Sequence, residues 1–154
     1  MMAANIAINI VGDDIEGALR KLVGQAGDMR PAMRAISEAM LDSIEEALDS
    51  EANPETGAPW PTLAPSTILR RLAKGKWPGK MLQVSQGGLA SSFAASAGSN
   101  YAQAGSNKPY AAIHHFGGQA GRGGRTTIPA RPYAGLTPEH RQEVLDIIQR
   151  HLTG

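Results

Sequence analysis

Residues 30–50, RPAMRAISEAMLDSIEEALDS, constrain the fold more than any other stretch. Met33, Ile36, Met40, Ile44 and Leu48 recur at spacings of three and four, with Ala47 beside them. That spacing puts them on one face of a helix. Asp28 can cap its start, and Pro31 lies in the first turn, where a missing N–H costs little. Glu38, Asp42, Glu45, Glu46 and Asp49 flank or oppose the apolar face, and Arg34–Glu38 is a possible i,i+4 pair. The methionines make the stripe adaptable, but its expected place is the core. A helix roughly 30 Å long with one apolar face must be covered, so the rest of the chain has to pack on it.

What remains is mixed in type. Ala4 to Val11 alternates Ile6, Ile8 and Ile10 with small or polar residues, as a half-buried strand does. Gly12-Asp13-Asp14 ends it and starts a helix through Val23, with Ile15, Ala18, Leu19 and Leu22 on one face. Asn53 to Pro65 holds four of the ten prolines and reads as a rigid connection anchored by Trp60. A short basic helix follows, Ile68 to Lys74, with Ile68, Leu69 and Leu72 expected inward and Arg70, Arg71 and Lys74 outward. Gly75 to Lys80 is a loop carrying Trp77 between lysines. Gly87 to Phe93 suggests a helical turn, and Ala94–Gly98 and Tyr101–Gly105 suggest two weak strands joined at Ser99-Asn100. Tyr110 to Phe116 fits a short helix with Ile113 and Phe116 on one face, stopped by Gly117-Gly118. Gln119 to Arg125 is rich enough in glycine to be a mobile loop in isolation. Ile128 to Tyr133 is extended, because each proline pushes its predecessor out of the helical region. Thr137 caps a last helix, with Val144, Leu145, Ile147, Ile148 and Leu152 as its buried face. The expected class is α+β: a small antiparallel or mixed sheet packed on a long amphipathic helix, with a C-terminal helix and long basic loops. Residues 1–154 are expected to form a single domain.

The charge is polarised. Residues 1–56 carry 11 acids and 4 bases, whereas residues 57–138 carry 9 bases and no acid. Such a chain either faces nucleic acid or docks an acidic face on a basic one. There is no cysteine, which removes thiolate metal sites, thiol nucleophiles and disulfides. No basic stretch precedes an apolar run at the start, so no signal peptide is expected. No apolar run approaches the roughly 20 residues that span a bilayer, so no membrane partner is expected.

Catalytic constellations are lacking. His114 and His115 are adjacent and point to different faces, and the nearest carboxylates in sequence are Glu55 and Glu139. Metal chemistry needs a third ligand and a second shell. No G-x-S-x-G marks a nucleophilic serine. GGQAGRGGR lacks the Gly-Lys-Ser/Thr ending of a phosphate-binding loop. Its Arg122 and Arg125 can still meet DNA phosphates or a neighbouring subunit's acids. No enzyme, metal or cofactor is expected.

Four segments carry a resemblance. Gly57-Ala58-Pro59-Trp60-Pro61-Thr62-Leu63 with Ser66-Thr67 resembles a G-x-x-W-x-x-L-x-x-x-T segment, and SQGGLASS (85–92) resembles (T/S)-G-x-L-x-x-S. Tyr110-Ala111 with His114-His115-Phe116-Gly117-Gly118 resembles Y-A-x-x-H-(Q)-F-G-G. Ile128-Pro129-Ala130-Arg131-Pro132-Tyr133 with Gly135-Leu136 resembles I-P-A-R-P-(F/Y)-x-G-(L/I). In this order they are similar to the phage virion morphogenesis, or tail-completion, family of Mu-like and P2-like phages. His115 stands where glutamine is commoner.

The resemblance implies a structural protein of the phage neck or upper tail, assembled in the host cytoplasm and resident in the virion. It implies a small subunit with a sheet and a long helix, forming a homo-oligomeric ring, most often six-fold, that completes the tail and joins it to the head as terminator or connector. Its partners would be further copies of itself, other neck and tail-tube proteins, and genomic DNA passing through the lumen. The expected structural anchors are Trp60, Phe116, Ile128, Pro129, Arg131 and Tyr133. The loops expected to face subunits, partners or DNA carry Lys74, Lys76, Trp77, Lys80, Arg122 and Arg125. The competing reading is a nucleic-acid-binding module that uses the acid-free stretch 57–138.

Overall fold

The computed structural model describes residues 15, 17, 28–83 and 88–153. The strand expected over 4–11, and all of the expected helix through Val23 except Ile15 and Gly17, lie outside them. Ile15 and Gly17 are helical, and Ile15 is fully buried.

Helix α1, Arg30–Ser50, occupies the stretch its apolar spacing predicts. Asp28 accepts a hydrogen bond from the Arg30 N–H (3.1 Å), although Met29 is the residue that caps the helix. The apolar stripe is core: Met33, Ile36, Met40, Ile44, Ala47 and Leu48 are buried. Two serines share that face, Ser37 and Ser43. Ser37 satisfies itself within the helix by donating to the Arg34 carbonyl (2.7 Å). Ser43 has a longer reach, described below.

Among the described elements, three pack on α1. Strands β1 (Phe93–Ala97) and β2 (Ala102–Ser106) form an antiparallel hairpin in which Phe93 faces Ser106 and Ala97 faces Ala102. Both strands pack on α1. Their alanines and serines leave little side chain between backbone and helix, so the hairpin lies close against it. The third element is α4, Pro138–Thr153, which buries Val144, Ile147 and Ile148. Thr137 caps it, its hydroxyl accepting from the His140 N–H (3.0 Å).

Helix α2, Pro65–Ala73, departs from expectation. Leu69 and Leu72 face solvent, 66 % and 52 % exposed, while Arg71 is buried. Apolar spacing alone predicts the reverse. Tertiary hydrogen bonding decides it: the Arg71 guanidinium donates to the carbonyls of Lys80 and Met81, satisfying the loop that returns to α1. Turning outward forgoes about 1.5–3 kcal/mol of burial per leucine. Leaving those loop carbonyls unpaired would also cost about 1–3 kcal/mol each.

The helix expected near Tyr110 is α3, Ala111–Phe116. Gln119 to Arg125 is more ordered than its glycines suggest. Strands β3 (Gly118–Ala120) and β4 (Thr126–Ile128) pair antiparallel, with Gly118 opposite Ile128 and a 3-10 turn at Arg122–Gly124 between them. Gly121, Gly123 and Gly124 all have positive φ, which is how so tight a tip closes.

One bond pair locks the C-terminal part onto α1. The Ser43 hydroxyl donates to the Gly135 carbonyl (2.8 Å) and accepts from the Thr137 N–H (3.1 Å), both in buried surroundings. Ser43→Ala leaves a buried acceptor and a buried donor without partners. The expected loss is about 2–4 kcal/mol in denaturant unfolding. A loss below about 1 kcal/mol would mean that these groups find other partners.

A clamped basic hairpin as candidate functional site

The β3–β4 hairpin stands on a base of three irregular segments: Asn53–Thr62, α3 with Gly117, and Pro129–Leu136. Side chains join the three through backbone groups that the turn at Asn53–Ala58 and helix α3 leave open. The Trp60 indole donates to the Pro132 carbonyl (2.7 Å). Arg131 donates to the carbonyls of Pro61 (3.0 Å) and Thr62 (2.9 Å), and its own N–H bonds the His114 carbonyl (2.8 Å). The Tyr133 hydroxyl donates to the Ala111 carbonyl (2.6 Å). Its ring meets Phe93 and His115 edge-on, at centroid distances of 4.9 and 5.1 Å. Burial pushes the Tyr133 phenol far above its usual pKa, so it remains a hydrogen-bond donor.

The histidines have structural surroundings. His115 Nδ1 accepts from the N–H groups of Tyr133 and Ala134, each at 3.2 Å. That assigns a neutral ring with its proton on Nε2. Burial lowers the His115 pKa below the usual 6.5. His114 is lowered too, by burial first and then by the Arg131 charge, and its buried Nδ1 has no hydrogen-bond partner. Among the described residues, no group of three His, Cys, Asp or Glu is placed to hold a metal ion. None of the helices among them is long and apolar enough to cross a membrane.

Glu51 is the carboxylate that serves the acid-free stretch. It ends α1 in a left-handed conformation (φ 54°). Its Oε2 accepts from the Met81 N–H (3.2 Å), and its Oε1 lies 3.8 Å from Lys80 Nζ. Burial and then the Arg71 charge lower the Arg131 pKa, while Glu51 raises it. Each of the two buried guanidiniums donates to two carbonyl oxygens, and Glu51 offsets part of the charge at Arg131.

The expected site residues separate into groups. Trp60, Arg131 and Tyr133 are buried in the base. Ile128 is half-buried and Pro129 exposed, at the end of the hairpin. Phe116 is not an anchor: it is 70 % exposed. The short helix turns its other face inward, where Ala111 is fully buried. Arg122 and Arg125 are exposed at the hairpin tip, and Lys74 and Lys76 are exposed after α2. Trp77 is half-buried. Lys80 is exposed as well, with its ammonium 3.8 Å from Glu51 and donating to the Asp49 carbonyl (2.5 Å). No hydrogen bond or ion pair among the described residues joins the two basic loops. The sequence pattern puts Arg71 on the outer side of its helix and does not single out Ser43 or Glu51. Only Ser43 left a trace, as a polar residue within an apolar stripe.

The junction of hairpin and base depends on Gly117. Its φ is 73°, and a Cβ there would lie 2.8 Å from both Ala130 N and Ile128 O. Gly57 has the same φ sign (74°) but open space around it. Gly117→Ala is expected to cost about 3 kcal/mol from strain plus overlap, against about 1 kcal/mol for Gly57→Ala. Equal losses in parallel denaturant titrations would remove the close-approach argument. His115 adds a pH dependence. Its pKa is lower folded than unfolded, so the folded state binds its proton less readily. Stability is full above pH 6.5 and falls as pH drops from 6.5 towards the folded value. His114 acts in the same direction. Unfolding titrations between pH 7.5 and 5.5 should show the decline, and His115→Gln should flatten it. An unchanged slope in that variant would remove His115 as its source.

The chain is similar to known proteins along nearly its whole length. The sequence pattern of the phage virion morphogenesis family matches residues 10–153. The putative capsid assembly protein G of Escherichia phage Mu is 36 % identical over 150 residues, covering 97 % of this chain and 94 % of that protein. The Mu-like prophage FluMu G protein 2 of Haemophilus influenzae is 33 % identical over 143 residues, covering 88 % of this chain and 87 % of that protein. No solved structure matches the chain. With the family pattern matched across both the long helix and the clamped hairpin, this chain belongs to the phage virion morphogenesis family.

Proposed function

We propose that the chain is a structural protein of the phage neck or upper tail. It completes the tail and joins it to the head as a homo-oligomeric ring, six-fold to match the tail, in the role of terminator or connector. The observation that carries this reading is the basic hairpin on its clamped base, in a chain of a virion morphogenesis family. A side-chain-bonded base of this kind presents an arm at a fixed angle. The exposed cations of the arm and of α2, set against the acidic α1 face, give one subunit complementary surfaces, which is what a head-to-tail ring needs. The Mu relative's name, a putative capsid assembly protein, supports a role in building the particle. The ring's partners are further copies, neck and tail-tube proteins, and DNA passing through its lumen. The role needs no catalytic group, metal or cofactor.

The nucleic-acid-binding reading has one observation in its favour: Arg122 and Arg125 are exposed together at one tip. The stretch is less basic at its surface than in sequence. Arg71, Arg131 and Lys80 are spent on internal carbonyls and Glu51.

The deciding experiment removes the gene during phage growth and images the lysate. The expected result is filled heads and tails that stay unjoined, restored by the gene supplied in trans. In complete particles, the protein should form a ring at the head–tail joint. Normally joined particles without the protein, or its absence from purified virions, would overturn the reading. If joining persists in Arg122→Ala/Arg125→Ala while salt-sensitive DNA binding is lost, the second reading gains instead.

A further inference from the structure

Helix α2 is turned inside out. Its inward residue is Arg71, and its outward face presents Leu69 and Leu72, 66 % and 52 % exposed, with Arg70 and Lys74 exposed beside them. Leu69 and Leu72, three apart, form an apolar row on the outer face, and Arg70 and Lys74, four apart, form a basic row on its flank. The orientation is fixed from within. Arg71 holds the carbonyls of Lys80 and Met81, Pro65 opens the helix, and Lys80 ties the following loop to the end of α1. The helix cannot roll its leucines inward without breaking these bonds. The apolar row is therefore built outward and needs a cover.

Charge names the cover. The outer face of α1 carries Glu38, Asp42, Glu45 and Asp49 at spacings of four, three and four, all exposed, with half-buried Leu41 beside them. This is an acidic row on successive turns with an apolar residue at its edge. It is opposite in charge to the basic flank of α2. Among the described residues, no ion pair within the chain joins Arg70 or Lys74 to any of these acids. The two rows belong to one subunit, and among the described residues they do not meet.

We propose that α2 is a docking ridge for a second copy of this chain. Leu69 and Leu72 pack on the outer face of the neighbour's α1, and Arg70 and Lys74 pair with its acidic row. The contact joins two different surfaces, so each copy uses its α2 on one side and its α1 on the other. Repetition then gives a closed ring or a filament. This deepens the ring reading and rests on it, but it can fail separately.

The test uses the full-length chain and measures mass by light scattering and native mass spectrometry. Arg70→Glu/Lys74→Glu and Asp42→Lys/Glu45→Lys should each lower the association constant at least tenfold, with circular dichroism unchanged. All four residues are exposed, so folding should survive. A one-to-one mixture of the two variants pairs each reversed row with its reversed counterpart and should restore assembly. Leu69→Ser/Leu72→Ser should weaken association without changing its salt dependence. If the wild-type chain forms rings and these variants form them equally well, the ridge is wrong and the ring stands. If the variants form rings but fail to join heads to tails, the face serves a different partner and the proposal is overturned. A wild-type chain that is monomeric at every concentration, alone and on tail ends, overturns both.

Discussion

Buried backbone without secondary structure is the constraint on which this protein depends. The segments 53–62 and 129–137 flank the core, yet apart from the turn at Asn53–Ala58 they pair little of their own backbone. Each buried carbonyl and N–H still needs a partner. Trp60, Arg131, His115 and Ser43 supply them, and Tyr133 adds a bond to the Ala111 carbonyl. The fold around the hairpin is thus held by side-chain-to-backbone bonds. Such bonds are individually modest, but a missing partner in a buried site is expensive. This explains why a polar serine sits in the apolar stripe of α1, and why a histidine pair that resembles chemistry serves as scaffold.

The same requirement reshapes the charge distribution. The acid-free stretch 57–138 looks uniformly basic in sequence. In three dimensions its cations divide. Arg71, Arg131 and Lys80 turn towards carbonyl groups and Glu51, because guanidinium and ammonium groups are the donors that irregular backbone lacks. The cations that remain exposed lie on the hairpin tip, on α2 and in the loop after it. Using Arg71 internally also determines which way α2 faces, so one buried guanidinium accounts for two exposed leucines. A local hydrogen-bonding need thereby leaves an apolar row exposed on α2.

Much of the regular structure was legible. Helix α1, the β1–β2 hairpin, the short helix before Gly117 and the capped C-terminal helix all follow from spacing, caps and turn residues. The base of the hairpin was legible in outline, since Gly117-Gly118 and the proline-locked segment mark its two sides. The pairing of β3 with β4 was not. Three-residue strands carry too few side chains to show an alternating pattern, and their register comes from the base that holds their ends. Phe116 was misread because a six-residue helix has no reliable apolar face until its packing is known.

The sequence by itself determined the α+β class, the long buried helix, the polarised charge and membership in a family of virion morphogenesis proteins. These rest on local rules: periodicity, capping, the conformational limits of proline and glycine, and short ordered motifs. Only the tertiary structure decided which polar side chains point inward. That choice depends on where unpaired carbonyls of distant segments come to lie, as Arg71 finds the 80–81 loop, Arg131 finds 61–62 and Ser43 finds 135–137. No local pattern encodes those meetings, because the partners are brought together by the packing of elements far apart in the chain.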